Sequence, residues 1–110
     1  GKLMTSELLG LGLLDKADIQ NEDKNWPAYK KYFMHGTSHH MGLDTHDYGL
    51  LHLPIEENMV FTVEPGIYIP DEGFGIRLED DVVIQENGEA FNLMQNIPIE
   101  ADEIEYLMNN

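Results

Sequence analysis

The groups best able to bind cations or carry protons cluster in one stretch, His35-Gly36-Thr37-Ser38-His39-His40-Met41-Gly42-Leu43-Asp44-Thr45-His46-Asp47-Tyr48-Gly49, which holds four of the five histidines and three of the ten glycines. Imidazole is the commonest side-chain metal ligand and the usual proton carrier near neutral pH. Helices avoid internal glycine, and strands avoid clustered Gly and Asp, so the segment is expected to be a loop with short extended pieces. One histidine there would read as a polar loop residue; four within twelve residues point to a site.

Two carboxylates farther along complete a candidate donor set. Glu64 interrupts a β-rich run just before Pro65-Gly66, and Glu79 falls in the apolar stretch Gly75 to Ile84, which reads as a strand. A carboxylate is costly to bury there unless it is paired or bound to a metal. Side chains alternate along a strand, placing Arg77, Glu79 and Asp81 on one face and Leu78 and Asp80 on the other. His39, Glu64 and Glu79 together make an oxygen-rich set suited to Mn²⁺, Co²⁺, Fe²⁺ or Zn²⁺. The competing readings are an ion pair with Arg77 for Glu79 and an exposed strand-end carboxylate for Glu64. Spacing does not choose between them, because the set is not a compact motif of the His-Glu-x-x-His kind.

The remaining chain supplies elements to position these groups. Leu3, Met4, Leu8, Leu9, Leu11, Leu13 and Leu14 form an apolar first segment of helical character that Gly10 and Gly12 end or loosen. Asp15 is expected to cap a second short helix running to Gln20, and Pro27 to open a turn or brief helix at its first position. His52, between Leu51 and Leu53, reads as a partly buried packing residue. Strands are expected at Met59–Val63, Ile67–Ile69 and Gly75–Ile84, with a return strand from Glu89 to Met94 across the Asn87-Gly88 turn. Ile99 to Met108 reads as a closing helix with Ile104, Leu107 and Met108 on one side. The fold class is α+β.

Composition limits the partners. A chain of 110 residues is one small domain or a piece of a larger one, and 42% apolar content allows a modest core. With no cysteine, disulfides and thiolate metal sites are excluded. The formal charge of −15 argues against nucleic acid and anionic membrane as partners. No apolar run approaches the roughly 20 residues that span a bilayer, and no signal peptide is visible, so the expected location is cytoplasmic. Four of the six basic residues fall in Lys16–Lys31, where a solvated face is the better explanation.

Three ordered motifs carry a family resemblance. His35-Gly-Thr-Ser-His39-x-x-Gly42-Leu-Asp-x-His46-Asp47-x-Gly49, then Val63-Glu64-Pro-Gly-Ile-Tyr68, then Gly75-Ile-Arg77-Leu-Glu79-Asp80-Asp resemble the C-terminal motifs of the aminopeptidase P and prolidase family, over essentially the whole chain. The resemblance implies a pita-bread fold, with an antiparallel sheet and flanking helices. It also implies two divalent ions, usually manganese, and cleavage of the residue preceding a proline in X-Pro peptides. By the same resemblance His39 and Glu64 would ligate one ion, Glu79 would bridge both, and Glu64 would shuttle the proton. His35, His46 and Arg77 would line the substrate pocket, with His35 and His46 assisting the reaction. His40 falls where relatives vary and receives no role.

That family's metal centre also needs two aspartates from the half of the domain preceding this chain's first residue, and Asp15 and Asp18 lie in the wrong context to be them. The expectation is therefore a C-terminal part of a pita-bread metallopeptidase domain over residues 1–110, inactive by itself. Such a piece is expected to form a homo-oligomer through exposed Leu3, Leu8, Leu9, Leu13 and the Met59–Val63 run. A non-catalytic pita-bread module that binds peptides or partner proteins is one alternative, and a stand-alone acidic metal-binding domain is another.

Overall fold

The computed structural model describes residues 1–50 and 52–110. In chain order the elements are α1 (Lys2–Gly10), α2 (Lys16–Gln20), a 3₁₀ turn (Ala28–Lys31), β1 (Val60–Val63), β2 (Gly66–Ile69), a second 3₁₀ turn (Pro70–Glu72), β3 (Phe74–Arg77), β4 (Asp80–Ile84), β5 (Ala90–Asn92) and α3 (Ala101–Asn109). They fall into two compact units, the first comprising residues 1–38 and 64–79 and the second residues 39–63 and 80–110.

In the first unit, α1 is built from good helix formers and stops where Gly12 turns left-handed at φ +73°. That reversal brings the Leu13 and Leu14 N–H groups back to the Leu8 carbonyl, at 3.0 and 3.2 Å, and places Leu14 on Leu8. Leu8, Leu14 and Tyr32 are the buried core, packed by Met4, Leu9, Ile67 and Ile69. Asp15 caps α2 reciprocally. Its carboxylate accepts from the Ala17 and Asp18 N–H groups at 2.7 and 2.9 Å, and the Asp18 side chain accepts from the Asp15 N–H at 2.8 Å. Strands β2 and β3 form an antiparallel hairpin from Gly66↔Arg77 to Ile69↔Phe74, anchored by the Tyr68 N–H on the Tyr32 carbonyl at 2.8 Å. Met4, Leu13, Ile69, Phe74, Ile76 and Leu78 help to line an apolar groove of about 550 Å³.

In the second unit, β1, β4 and β5 make an antiparallel sheet with β4 in the centre. Pairing runs from Val60↔Val83 to Val63↔Asp80 on one side and from Val82↔Asn92 to Ile84↔Ala90 on the other. The Asn87-Gly88 turn forms as expected, with Gly88 at φ +81° and its N–H on the Gln85 carbonyl at 2.8 Å. The histidine segment runs beside β1: the Thr62 N–H meets the His39 carbonyl at 3.0 Å, and the Met41 N–H meets that of Val60 at 3.1 Å.

Several expectations change. The strand expected over Gly75–Ile84 is two strands in two different sheets, and Glu79 lies in the break between them. Pro27 precedes its 3₁₀ turn at the cap position instead of opening it. His52 is exposed, because the side chains around it are not drawn into a core; Leu51, beside it, lies outside the described residues. Of the apolar surface expected to be open, Leu3 and Val63 are exposed, but Leu8, Phe61 and Thr62 are buried; further exposed apolar side chains lie on Leu43, β3 and α3. The α3 helix forms, but Ile104, Leu107 and Met108 all remain exposed.

Candidate metal centre

Glu64 follows β1 directly, and Pro65 after it turns the chain toward β2. Its N–H donates to the Thr37 carbonyl at 2.7 Å, which fixes the backbone, and its side chain is only 13% exposed. Glu79 follows β3, where the Leu78 N–H on the Pro65 carbonyl (3.2 Å) closes the hairpin. A carboxylate oxygen of Glu64 and one of Glu79 come within 4.8 Å of each other. Arg77 reaches both: its Nη1 lies 3.8 Å from Glu64 Oε2 and its Nε 3.5 Å from Glu79 Oε2. The guanidinium is held above its ordinary pKa, first by the Tyr68 phenol beside it and then by the charges of Glu79 and Glu64. Both readings left open for Glu79 therefore meet here, since it pairs with Arg77 and also faces a second carboxylate.

His35 belongs to the same unit. Its Nδ1 lies 2.7 Å from the Gly36 carbonyl and its Nε2 2.9 Å from the Tyr68 hydroxyl, while Phe33 and Tyr68 set the ring from two sides in edge-on contacts. Tyr68 appeared in the sequence as part of a motif without a role. The available signal was its register, opposite a glycine in a hairpin.

In the second unit His39 is held three ways. Its N–H donates to the Thr62 hydroxyl at 3.1 Å, its carbonyl accepts from the Thr62 N–H, and its Nδ1 lies 2.9 Å from the His40 carbonyl. A carbonyl oxygen only accepts, so Nδ1 carries the proton and Nε2 keeps its lone pair. This is the tautomer a ligating imidazole needs. Thr62, 1% exposed, thus orients the candidate ligand, a role that its β-propensity alone did not reveal. The His46 ring stands 4.2 Å from that of His39, tilted 40°. His40 instead packs on Phe61 with ring centroids 4.4 Å apart, and Gly49 is the glycine whose missing side chain admits the His40 ring.

The structure thus brings Glu64, Glu79 and Arg77 together, links His35 to them through Tyr68, and separately sets His46 against His39. Two adjacent carboxylates offer a donor chemistry that suits a divalent cation of the manganese-to-zinc series, and in the other unit the His39 ring is oriented by its Nδ1 contact with the His40 carbonyl.

The sequence profile described as "Metallopeptidase family M24" matches residues 9–86. The chain is 44% identical over 119 residues to the Xaa-Pro aminopeptidase of Escherichia coli K12, a match covering 97% of this chain and 26% of that protein. It also superposes on the structure of the aminopeptidase PepP from Pseudomonas aeruginosa with a TM-score of 0.73 at 37% identity, over 96% of this chain and 26% of that one. On Icp55 from Saccharomyces cerevisiae the TM-score is 0.71 at 34% identity, over 99% and 27%. The chain spans about a quarter of the length of the relatives it matches. At these identities the α+β architecture is the pita-bread fold of those enzymes.

Proposed function

The chain belongs to metallopeptidase family M24, and from that premise we propose that the whole protein is an Xaa-Pro peptidase whose metal centre takes His39, Glu64 and Glu79 from these 110 residues. The observation carrying this reading is the pair of carboxylates, Glu64 and Glu79, held within 4.8 Å of each other on fixed backbone. The proposed ions are two, manganese by preference, with Glu79 shared between them and two further aspartates supplied from outside residues 1–110. Bound divalent ions supply acidification of water and polarisation of the scissile carbonyl.

The chain's own side chains do the rest. Glu64 takes a proton as the water oxygen joins the carbonyl carbon, then returns it to the prolyl nitrogen as the C–N bond breaks. That nitrogen must be protonated to leave, and as a tertiary amide it carries no N–H of its own. His46 stabilises the negative charge that develops on the carbonyl oxygen, and His35, both ring nitrogens of which are engaged, lines the substrate pocket. Arg77 holds Glu64 and Glu79 in place and lines the substrate pocket.

The whole protein should release the first residue from X-Pro peptides, lose that activity on chelation and regain it with Mn²⁺. Glu79→Gln should leave the fold intact and abolish loading of a second ion, because a neutral amide bridges cations poorly. An active chelated enzyme, or two ions per chain in Glu79→Gln by metal analysis, would sink the proposal.

A further inference from the structure

His40, which the family resemblance left without a role, has both its ring and its carbonyl fixed. The ring stacks on Phe61, with centroids 4.4 Å apart and planes tilted by 41°. It also occupies the space over Gly49, where a methyl group would collide with Cδ2, Nε2 and Cγ of the ring. Gly49 has no positive φ, so backbone strain does not account for this glycine. What it provides is room for a close approach. His40 and Phe61 are antiparallel bridge partners as well, and the Met41 N–H, in the same peptide group as the His40 carbonyl, donates to the Val60 carbonyl at 3.1 Å. That peptide group cannot turn without breaking a hydrogen bond or unseating the ring.

The carbonyl that this peptide group presents has two donors. It accepts from the Asp47 N–H at 3.0 Å, and it lies 2.9 Å from His39 Nδ1, which carries the proton. A carbonyl oxygen has two lone pairs, so both are in use. One donor is the ring of the candidate metal ligand. The other belongs to the residue that follows His46, whose own ring stands 4.2 Å from that of His39. A single acceptor thus sets the tautomer of His39 and closes the loop that carries His46.

We propose that His40 is a positioning residue: its ring, seated on Phe61 and over Gly49, holds the His40 carbonyl where it orients the His39 imidazole for a divalent cation. The working parts are the flat ring and the carbonyl, not the ring nitrogens. The proposal rests on the metal reading of His39 only for the consequence to cation binding; the positioning itself is a property of these residues. A histidine that merely packed the loop would contribute to stability alone.

Two measurements on the whole protein separate these roles: solvent exchange of the His39 Nδ1–H in the metal-free state, by ¹⁵N-histidine NMR, and Mn²⁺ affinity by calorimetry. His40→Phe keeps a flat ring on Phe61 and over Gly49 and removes both ring nitrogens. It should leave exchange and affinity within about twofold of the parent. His40→Ala keeps the carbonyl but frees its peptide group. It should speed the exchange about threefold or more, the scale of one weakened hydrogen bond, and weaken Mn²⁺ binding about tenfold. Gly49→Ala should evict the ring and have the same two effects with His40 still present. Adding His40→Ala to it should cost no more than His40→Ala alone, because the ring to be displaced is gone, and additive losses would count against the proposal. Parental exchange in His40→Ala would overturn it, as would a His40→Phe variant as impaired as His40→Ala. If an alanine variant does not fold, His40→Phe decides: parental values uphold the proposal and a tenfold loss overturns it. A parent that binds no Mn²⁺ would count against the metal reading and leave the exchange result to decide the positioning separately.

Discussion

Glu64 and Glu79 illustrate how much a pair of like charges asks of its surroundings. Within 4.8 Å of each other, two carboxylates repel by at least about 1 kcal/mol in water-like surroundings and by roughly 3–4 kcal/mol or more at an effective dielectric near 20. The Arg77 guanidinium, at 3.5 and 3.8 Å from the two, opposes that repulsion. A divalent ion carries twice the charge of a guanidinium, so two carboxylates this close also suit a metal. His46 carries a separate expectation. In the whole protein His46→Ala should keep its metals and lose about 10²–10³ in kcat, the scale of one transition-state donor. Loss of metal in that variant would show that His46 acts through His39 instead. Asp47 sets a pH dependence. Its carboxylate accepts from the Tyr48 N–H at 2.7 Å and the Asp44 N–H at 3.4 Å, and these bonds, Tyr48 first, hold its pKa below the ordinary 3.8. A lowered folded-state value means that the stabilisation is complete above the unfolded value and is lost as pH falls through the folded one. Amide signals of Asp44 and Tyr48 should therefore hold above about pH 4 and shift below it, and Asp47→Asn should flatten that titration.

Short elements here are held by specific end chemistry more than by length. A five-residue helix such as α2 is far below what is stable alone, and the reciprocal cap of Asp15 and Asp18 compensates for much of that deficit. Asp15→Ala should cost about 1 kcal/mol in chemical denaturation, and a cost indistinguishable from zero would mean that packing of Ile19 holds α2 instead. The hairpin of β4 and β5 depends likewise on Gly88, left-handed at φ +81°. The one misread element, the long strand through Glu79, has a local cause. Nothing in Leu78-Glu79-Asp80 breaks a strand by propensity. The break exists because β3 pairs with β2 while β4 pairs with β1, and a strand that changes partners must leave one ladder before it joins the next.

Across the whole chain, apolar surface outruns the core. Leu8, Leu14, Tyr32, Phe33 and Phe61 are the buried apolar residues among those described, whereas Leu43, Ile76, Leu78, Leu107 and Met108 are each more than half exposed. Isolated monomers rarely leave apolar patches of more than a few hundred Å² open. We therefore expect a sample of these 110 residues to associate, and light scattering that finds a dilute, well-folded monomer would refute this. Leu8→Ala should cost roughly 2–5 kcal/mol in the same sample, the range for emptying a packed leucine site. Among the described residues no helix is long and apolar enough to cross a membrane.

The sequence by itself determined the chemistry and the order of its parts. A histidine-dense loop, a glutamate before Pro-Gly and a glutamate beside an arginine mark a site, because such residue types at those places are poor core material and good ligands. It determined α2, the Asn87-Gly88 hairpin and the α+β class too, since caps, turns and strand propensities act within a few residues. Tertiary structure alone decided which groups meet. The Thr62 hydroxyl sets His39 across 23 residues, and the Tyr68 hydroxyl reaches His35 across 33. It also decided which leucines are buried and that Glu79 stands outside a strand. Contacts at such separations follow from sheet register and from the space that Gly66 and Gly75 leave open, and neither is written in the neighbours of the residues concerned.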